Sequence, residues 1–444
     1  MTRCDDGDVA GRVVNRKRVR LFAGLAVLLL ALSACGPPVA SAPQSGAPGL
    51  TVTPPPGTTA GLLMALDAKT GRILWQVQAP MAAISAPAAS QGFLFVQGGY
   101  DCRSPLGVLA AFRGRDGTRL WQRPTAPSHA GFSLCSSESA PAATSGVVAA
   151  AGSQGGEVVI RGLDPQSAKE LWTATGEAPT ASTGPLLIFV RFLSGRSTLQ
   201  GLDPLTGRQR WLANLNSAGP PIAVNGQSAV VSGSYGQYGA AVSRVDLATG
   251  KVAWQHQIGE GTVGAIALSN VAVVSFLPMA SPPQFEPTAQ SLIALDGMSG
   301  KELWRRDKIQ SSGLLSLVAS AGTAYVERRS RAASGNQCSF SIQALDSESG
   351  TVRWTQSDLP GCPDPFYPGF ATGESTFALM YTAGSATKIV ALDAIAGTKL
   401  WEQQLPQSPM CNASTCQSAP VKATIAGGVV YVTISGRFIP PASD

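Results

Sequence analysis

An eleven-residue pattern ending in tryptophan recurs eight times in this chain of 444 residues and uses every tryptophan once. The copies are ALDAKTGRILW (65–75), AFRGRDGTRLW (111–121), GLDPQSAKELW (162–172), GLDPLTGRQRW (201–211), RVDLATGKVAW (244–254), ALDGMSGKELW (294–304), ALDSESGTVRW (344–354) and ALDAIAGTKLW (391–401). Their tryptophans, Trp75, Trp121, Trp172, Trp211, Trp254, Trp304, Trp354 and Trp401, stand 46, 51, 39, 43, 50, 50 and 47 residues apart. A period of this size means one supersecondary unit stacked on copies of itself, because so small a unit cannot bury its apolar face alone.

The pattern reads as a hairpin with an aromatic plug. Asp67, Asp164, Asp203, Asp246, Asp296, Asp346 and Asp393 close one strand and, with the Ser or Thr that often follows, can bond the backbone of a tight turn. Gly71, Gly207, Gly250, Gly300, Gly350 and Gly397 supply the positive φ of a bulged hairpin, and a second short strand ends on the tryptophan. A large ring at a fixed place packs most simply between neighbouring repeats, so the eight indoles are expected to dock and not to catalyse. Arg113 stands where Asp is expected and Ala168 where Gly is, which predicts two looser or differently shaped turns.

Two further strand-like runs separate the motifs, for example 84–90 with 92–99 and 263–269 with 270–276. Four strands per period is the content of a β-propeller blade. The first motif has no such pair before it, and the last is followed by an extra pair at 419–426 and 427–436. These orphans complete one blade and leave no open edge. The expectation is an all-β, single eight-bladed propeller over 61–436, four antiparallel strands per blade, closed where the N-terminal third and fourth strands pair with the C-terminal first and second. Composition agrees: only 14% of residues are charged, Gly (49) and Pro (32) suit many turns, and 44% apolar residues can fill a large core.

Residues 1–34 read as a lipoprotein signal peptide. A basic run at 16–20 precedes LFAGLAVLLLAL (21–32), whose 12 apolar residues are too few to span a bilayer. Leu32-Ser33-Ala34-Cys35 follows and resembles a bacterial lipobox, which makes Cys35 the lipidation site and the membrane a partner through that anchor. Residues 36–60 carry no charge and form a Pro-rich tether, and 437–444 are a short tail. Beyond the leader, 27 basic residues face 24 acidic ones, too scattered a surplus for nucleic-acid binding.

With the repeats and their strands in place, the chain resembles the pyrroloquinoline-quinone-type propeller family, whose motif is Ala-x-Asp-x-x-x-Gly-x-x-x-Trp, over residues 61–436. No tryptophan is followed by Asp, unlike Trp-Asp repeats, and the Gly-Gly doublets of kelch repeats are missing from their fixed place. The resemblance implies one of two classes of function. Quinone-dependent dehydrogenases of the family carry pyrroloquinoline quinone with calcium, a catalytic Asp and often a disulfide of adjacent cysteines. Here no two cysteines are adjacent, and the turns account for the repeat aspartates. The loop acids Asp101, Glu138, Asp358 and Asp364 read as solvated groups, and two histidines, His129 and His256, are too few for an imidazole cluster.

The second class is similar to the propeller lipoproteins of outer-membrane β-barrel assembly, which have a lipobox, a short tether and eight blades. The expectation is therefore a monomeric, lipid-anchored, non-catalytic scaffold without metal or cofactor, at the outer membrane facing the periplasm or on the outer face of a single membrane. It would bind an envelope protein or a small ligand, and the alternative is the quinone enzyme. Antiparallel blades place the second-to-third-strand loops and the connections between blades on one face. Cys102, Cys135, Cys338, Cys362, Cys411 and Cys416 fall in those places, which predicts disulfides Cys102–Cys135, Cys338–Cys362 and Cys411–Cys416. The insertion 276–287 on the same face offers Phe276, Leu277, Met279 and Phe285 either as a partner-binding patch or as a loop packed on its own blade.

Overall fold

The computed structural model describes residues 60–99, 107–125, 140–154, 157–175, 179–183, 186–193, 196–215, 218–235, 239–279, 289–311, 314–331, 338–360, 370–383, 386–406, 411–412, 415–416 and 421–436. The thirty-four elements among the described residues are all β-strands. Four sheets are meanders of four consecutive antiparallel strands. In a fifth, the innermost strand is split into Ala83–Ile84 and Ala88–Ser90, which both pair with Phe93–Gly99.

Two sheets depart from this plan. In one, the chain ends meet: Leu62–Asp67 pairs with Ile73–Gln78 on one side and with Val429–Ile434 on the other, and Val421–Ala426 lies outside the latter. The join is antiparallel from Leu62 opposite Ile434 to Asp67 opposite Val429. In the other, Val252–Leu268 runs for 17 residues and serves as the last strand of one meander and the first of the next, fusing seven strands into one sheet. It bends at Gly259 and Gly261, with φ of 146° and 149°. A Cβ at Gly261 would lie 2.2 Å from the Leu277 carbonyl oxygen, so the bend needs glycine.

The distribution of apolar residues follows from stacking. Leu62–Asp67 is buried at all four central positions, so period-two alternation is absent. Its side chains point alternately into two different cores. Leu63 and Ala65 pack with Leu94, Val96, Val108 and Phe112 of the following sheet. Met64 and Leu66 pack with Ala378, Met380, Ile389 and Ala391 of the preceding one. A strand with sheets on both sides must be apolar on both faces. The outer strand Ile73–Gln78 has a neighbour on one side only and buries Trp75 among exposed residues. Glu170–Thr175 and Lys399–Gln404 repeat this pattern around Trp172 and Trp401, whereas Gln209–Leu215 buries Ala213 and Leu215 beside Trp211.

Burying a leucine side chain contributes about 2 kcal/mol, and removing it from a full core adds a cavity cost. Leu63→Ala should therefore lower unfolding free energy by roughly 2–5 kcal/mol. Leu74→Ala, on the solvent side of the outer strand at 38% exposure, should change it little. Urea unfolding followed by tryptophan fluorescence measures both, and similar losses would show that the strand does not face two cores.

Candidate functional site

Every repeat tryptophan donates its indole N–H to a backbone carbonyl in the hairpin of the next repeat. Trp75 bonds Gly114 (2.7 Å), Trp121 Pro165 (2.8 Å), Trp172 Pro204 (2.7 Å) and Trp211 Leu247 (2.7 Å). Trp254 bonds Gly297 (3.0 Å), Trp304 Ser347 (2.9 Å) and Trp354 Ala394 (3.2 Å). Trp401 returns to Ala68, 333 residues back, at 2.9 Å. The acceptor is always the residue after the motif's third position.

The hairpins are shaped to receive these rings. In the first, Asp67 Oδ1 accepts the Thr70 N–H at 2.8 Å and the Thr70 hydroxyl at 2.9 Å, while the Gly71 N–H bonds the Asp67 carbonyl at 2.9 Å. The motif glycine has φ of 66–70°, and a Cβ there would lie 2.4–2.8 Å from the arriving tryptophan, as at Gly71, Gly207, Gly250, Gly300, Gly350 and Gly397. At these six positions glycine suits both the left-handed backbone and the close approach of the indole.

The two irregular motifs are not differently shaped, contrary to the sequence expectation. Ala168 adopts φ of 58° and its N–H bonds the Asp164 carbonyl at 2.9 Å, because an alanine can bear the left-handed conformation at about 1 kcal/mol. At Arg113 the backbone turn is kept by Gly117 N–H to the Arg113 carbonyl at 2.9 Å. Asp116 replaces the missing acid, accepting the Thr118 N–H at 3.0 Å and pairing with Arg113 at 3.2 Å and Arg115 at 3.3 Å.

Hydrogen bonds also set the acidity of the turns. The Thr70, Ser167, Thr249 and Ser299 hydroxyls hold Asp67, Asp164, Asp246 and Asp296 below the usual carboxylate range. Arg210 does the same for Asp203, and Arg353 for Asp346. A depressed folded-state pKa contributes stability above the unfolded value near 4 and loses it as pH falls below that. Glu327 has the opposite sign. Its side chain is fully buried in Thr323–Arg331, paired with Arg329 at 2.7 Å, and its Oε2 has no hydrogen-bond partner. Burial pushes this carboxyl above its ordinary value against the pull of Arg329, so its penalty is relieved as pH falls through the folded-state pKa. Sequence reasoning missed Glu327, although it lies two residues from buried Tyr325 and so on the same inward face.

The loop face holds the remaining expected residues. Phe276 is corrected: it is 5% exposed, not a surface residue. It occupies an inward position of Val271–Pro278, with its ring 2.8 Å from where a Gly261 Cβ would be, so the missing side chain of Gly261 makes its room. Leu277 is half-buried and Met279 is 52% exposed, its N–H bonded to the Glu260 carbonyl at 3.0 Å. Cys411 and Cys416 stand opposite each other in a short antiparallel ladder, Cys411–Asn412 with Thr415–Cys416. Cys338 opens the strand Cys338–Asp346, with its Cα opposite Arg331. Cys35, Cys102, Cys135, Cys362 and Phe285 lie outside the described residues.

Among the described residues no three His, Cys, Asp or Glu side chains converge as a metal would require. Each of the repeat aspartates spends its Oδ1 on its own turn, so among the described residues they do not assemble the oxygen cage that a calcium ion takes.

Sheets joined through tryptophan-bearing hairpins define a β-propeller of pyrroloquinoline-quinone-like repeats. The family of the outer membrane protein assembly factor BamB matches residues 36–186, 195–337 and 239–439, and the chain belongs to that family. BamB of Yersinia pestis is 29% identical over 309 residues, covering 67% of this chain and 62% of the relative, so the match spans about three fifths of the relative's length. Among solved structures, quinohemoprotein alcohol dehydrogenase from Comamonas testosteroni is similar with TM-score 0.52 and 13% identity, over 87% of this chain and 78% of that one. BamB from Moraxella catarrhalis gives TM-score 0.47 and 14% identity, over 79% and 96%. The dehydrogenase likeness is one of fold.

Two outcomes follow from the joints. Gly207→Ala should cost about 1–3 kcal/mol in urea unfolding, from left-handed strain plus contact with Trp172, whereas Ala168→Gly should be close to neutral. Equal effects would remove the case for close approach. Thermal melts from pH 7 to 2 should show stability falling below about pH 4, with a shallower fall in Asp296→Asn than in the native chain. An unchanged slope in that variant would mean that its turn contributes nothing to the acid response.

Proposed function

We propose that this chain is a lipid-anchored, extracytoplasmic propeller of eight four-stranded blades that acts as a non-catalytic protein-interaction scaffold in envelope protein assembly. The observation that carries the reading is membership of the BamB family along almost the whole sequence after Cys35. The tryptophan bonds support the blade count, since eight of them run from repeat to repeat and the last returns to the first. Val252–Leu268, divided at its glycines, supplies the fourth strand of one blade and the first of another. Residues 1–34 are the signal peptide, Cys35 the acylated residue, 36–60 the tether, 61–436 the propeller and 437–444 the tail.

The loop face is the binding surface. On it the exposed Met279 and half-buried Leu277 flank the insertion, and the three disulfides brace the loops around it. The direct opposition of Cys411 and Cys416 supports one of those three. The partner is an envelope protein, and the propeller itself is monomeric.

Intact mass measurement of membrane-extracted protein tests the anchor: a mature chain beginning at Cys35 should carry the mass of added acyl chains, and Cys35→Ser should carry none. Crosslinking in cells followed by affinity purification tests the scaffold. An envelope protein should be captured by the native chain and lost when residues 280–288 are replaced by a short Gly-Ser linker. Equal capture by both would sink the loop-face assignment, and an unacylated mature chain would sink the anchor.

A further inference from the structure

Seven of the eight motifs open on a small residue and one does not. Ala65, Ala111, Gly162, Gly201, Ala294, Ala344 and Ala391 stand first in their repeats, whereas the fifth opens on Arg244. This position lies opposite the tryptophan of its own hairpin, as Gly162 does opposite Trp172 and Arg244 opposite Trp254. Room is short there: a Cβ at Gly162 or Gly201 would stand 2.1 or 2.3 Å from the indole of Trp172 or Trp211. The Arg244 side chain leaves this place for the next repeat, where its Nη1 donates to the Met298 sulfur at 3.8 Å.

Met298 sits at the tip of the sixth hairpin, two residues after Asp296. At 76% exposure it is the most exposed large apolar side chain among the described residues. Leu205 and Ile395 are exposed at the same place in their own motifs, but neither side chain has an atom that can be oxidised or can accept a hydrogen bond. The guanidinium stands between two hairpins: the Thr249 and Ser299 hydroxyls hold Asp246 and Asp296 below the usual carboxylate range, and Arg244 adds a smaller pull on both. Its contact with Met298 therefore spans the joint at which Trp254 bonds the Gly297 carbonyl at 3.0 Å.

A thioether accepts hydrogen bonds weakly, so the contact contributes little as it stands. A sulfoxide is polar, and its oxygen facing a guanidinium makes a charge-assisted bond. We propose that Met298 is a site of reversible oxidation by a hydroperoxide and that Arg244 holds the product. A sulfur lone pair attacks one peroxide oxygen, the S–O bond forms as the O–O bond breaks, and the transferred oxygen passes its proton to the departing one. With hydrogen peroxide the leaving product is water; sulfur loses two electrons and the peroxide gains them. The sulfoxide oxygen then accepts from Arg244 and ties the fifth hairpin to the sixth, and a sulfoxide reductase working on the exposed tip reverses the change. Oxidation here tightens one joint, whereas at the buried Met64, Met81 or Met380 it would disrupt a core.

The test uses the mature chain carrying Met279→Leu and Met410→Leu, so that neither of those sulfurs contributes. After brief treatment with hydrogen peroxide, peptide mass spectrometry should show Met298 gaining one oxygen at least about tenfold faster than Met64, Met81 and Met380. The melting temperature by circular dichroism should then rise by about 1–2 °C, and sulfoxide reductases for both epimers should return it to its starting value. In Arg244→Ala, which places here the residue that five other repeats carry, Met298 should oxidise without any rise. Met298→Leu should show no shift on peroxide treatment. Three results would overturn the proposal: Met298 reacting no faster than the buried methionines, no rise once Met298 is oxidised, or the same rise in Arg244→Ala.

Discussion

An indole N–H bonded to a carbonyl of the next hairpin is the contact on which the rest of this structure depends. Each joint combines a hydrogen bond worth about 1 kcal/mol with burial of a ring whose area is on the order of 200 Å², about 5 kcal/mol at ordinary transfer values. The bond satisfies a carbonyl that the packed ring would otherwise shut off from water. Because Trp401 bonds Ala68, the series has no free end, and the strand pairing of Leu62–Asp67 with Val429–Ile434 seals the same seam through the backbone. Loss of any one joint strains two neighbouring sheets at once.

Stacking also decides where chemistry can be displayed. The inner strands have sheets on both sides and so admit few polar groups. Among the described residues Glu327 and Lys422 are the buried charged ones, and Glu327 is held against its desolvation cost by its ion pair with Arg329. The outer strands and the strand ends face water, and exposed side chains such as Ile73 and Met279 lie there. A propeller of this kind offers two separate surfaces, one at the hairpins and one at the loops.

Much of this was legible in the repeat. The motif residues mark hairpins because Asp, Gly and Trp each have a local reason to be there: a turn acceptor, a positive φ and a large apolar ring. The acceptor of the indole bond was not legible, since the bond joins residues tens of positions apart and ends on a carbonyl that every residue carries. Phe276 was misread because an aromatic beside prolines looks like a loop residue, and the space that buries it comes from Gly261 on a neighbouring strand. Asp116 was overlooked because its role depends on the turn at Arg113 keeping its backbone shape without the usual acid.

The amino-acid sequence by itself determined that this chain is built from one repeated hairpin, how many times it recurs, and that orphan strands at the two ends must find each other. Those properties are local, encoded in turn chemistry and in runs of apolar residues at a fixed period. Tertiary structure alone decided which carbonyl each tryptophan bonds, and that one 17-residue strand runs from one meander into the next. Such outcomes depend on distances between segments far apart in the chain, and those distances exist only once the sheets have packed against one another.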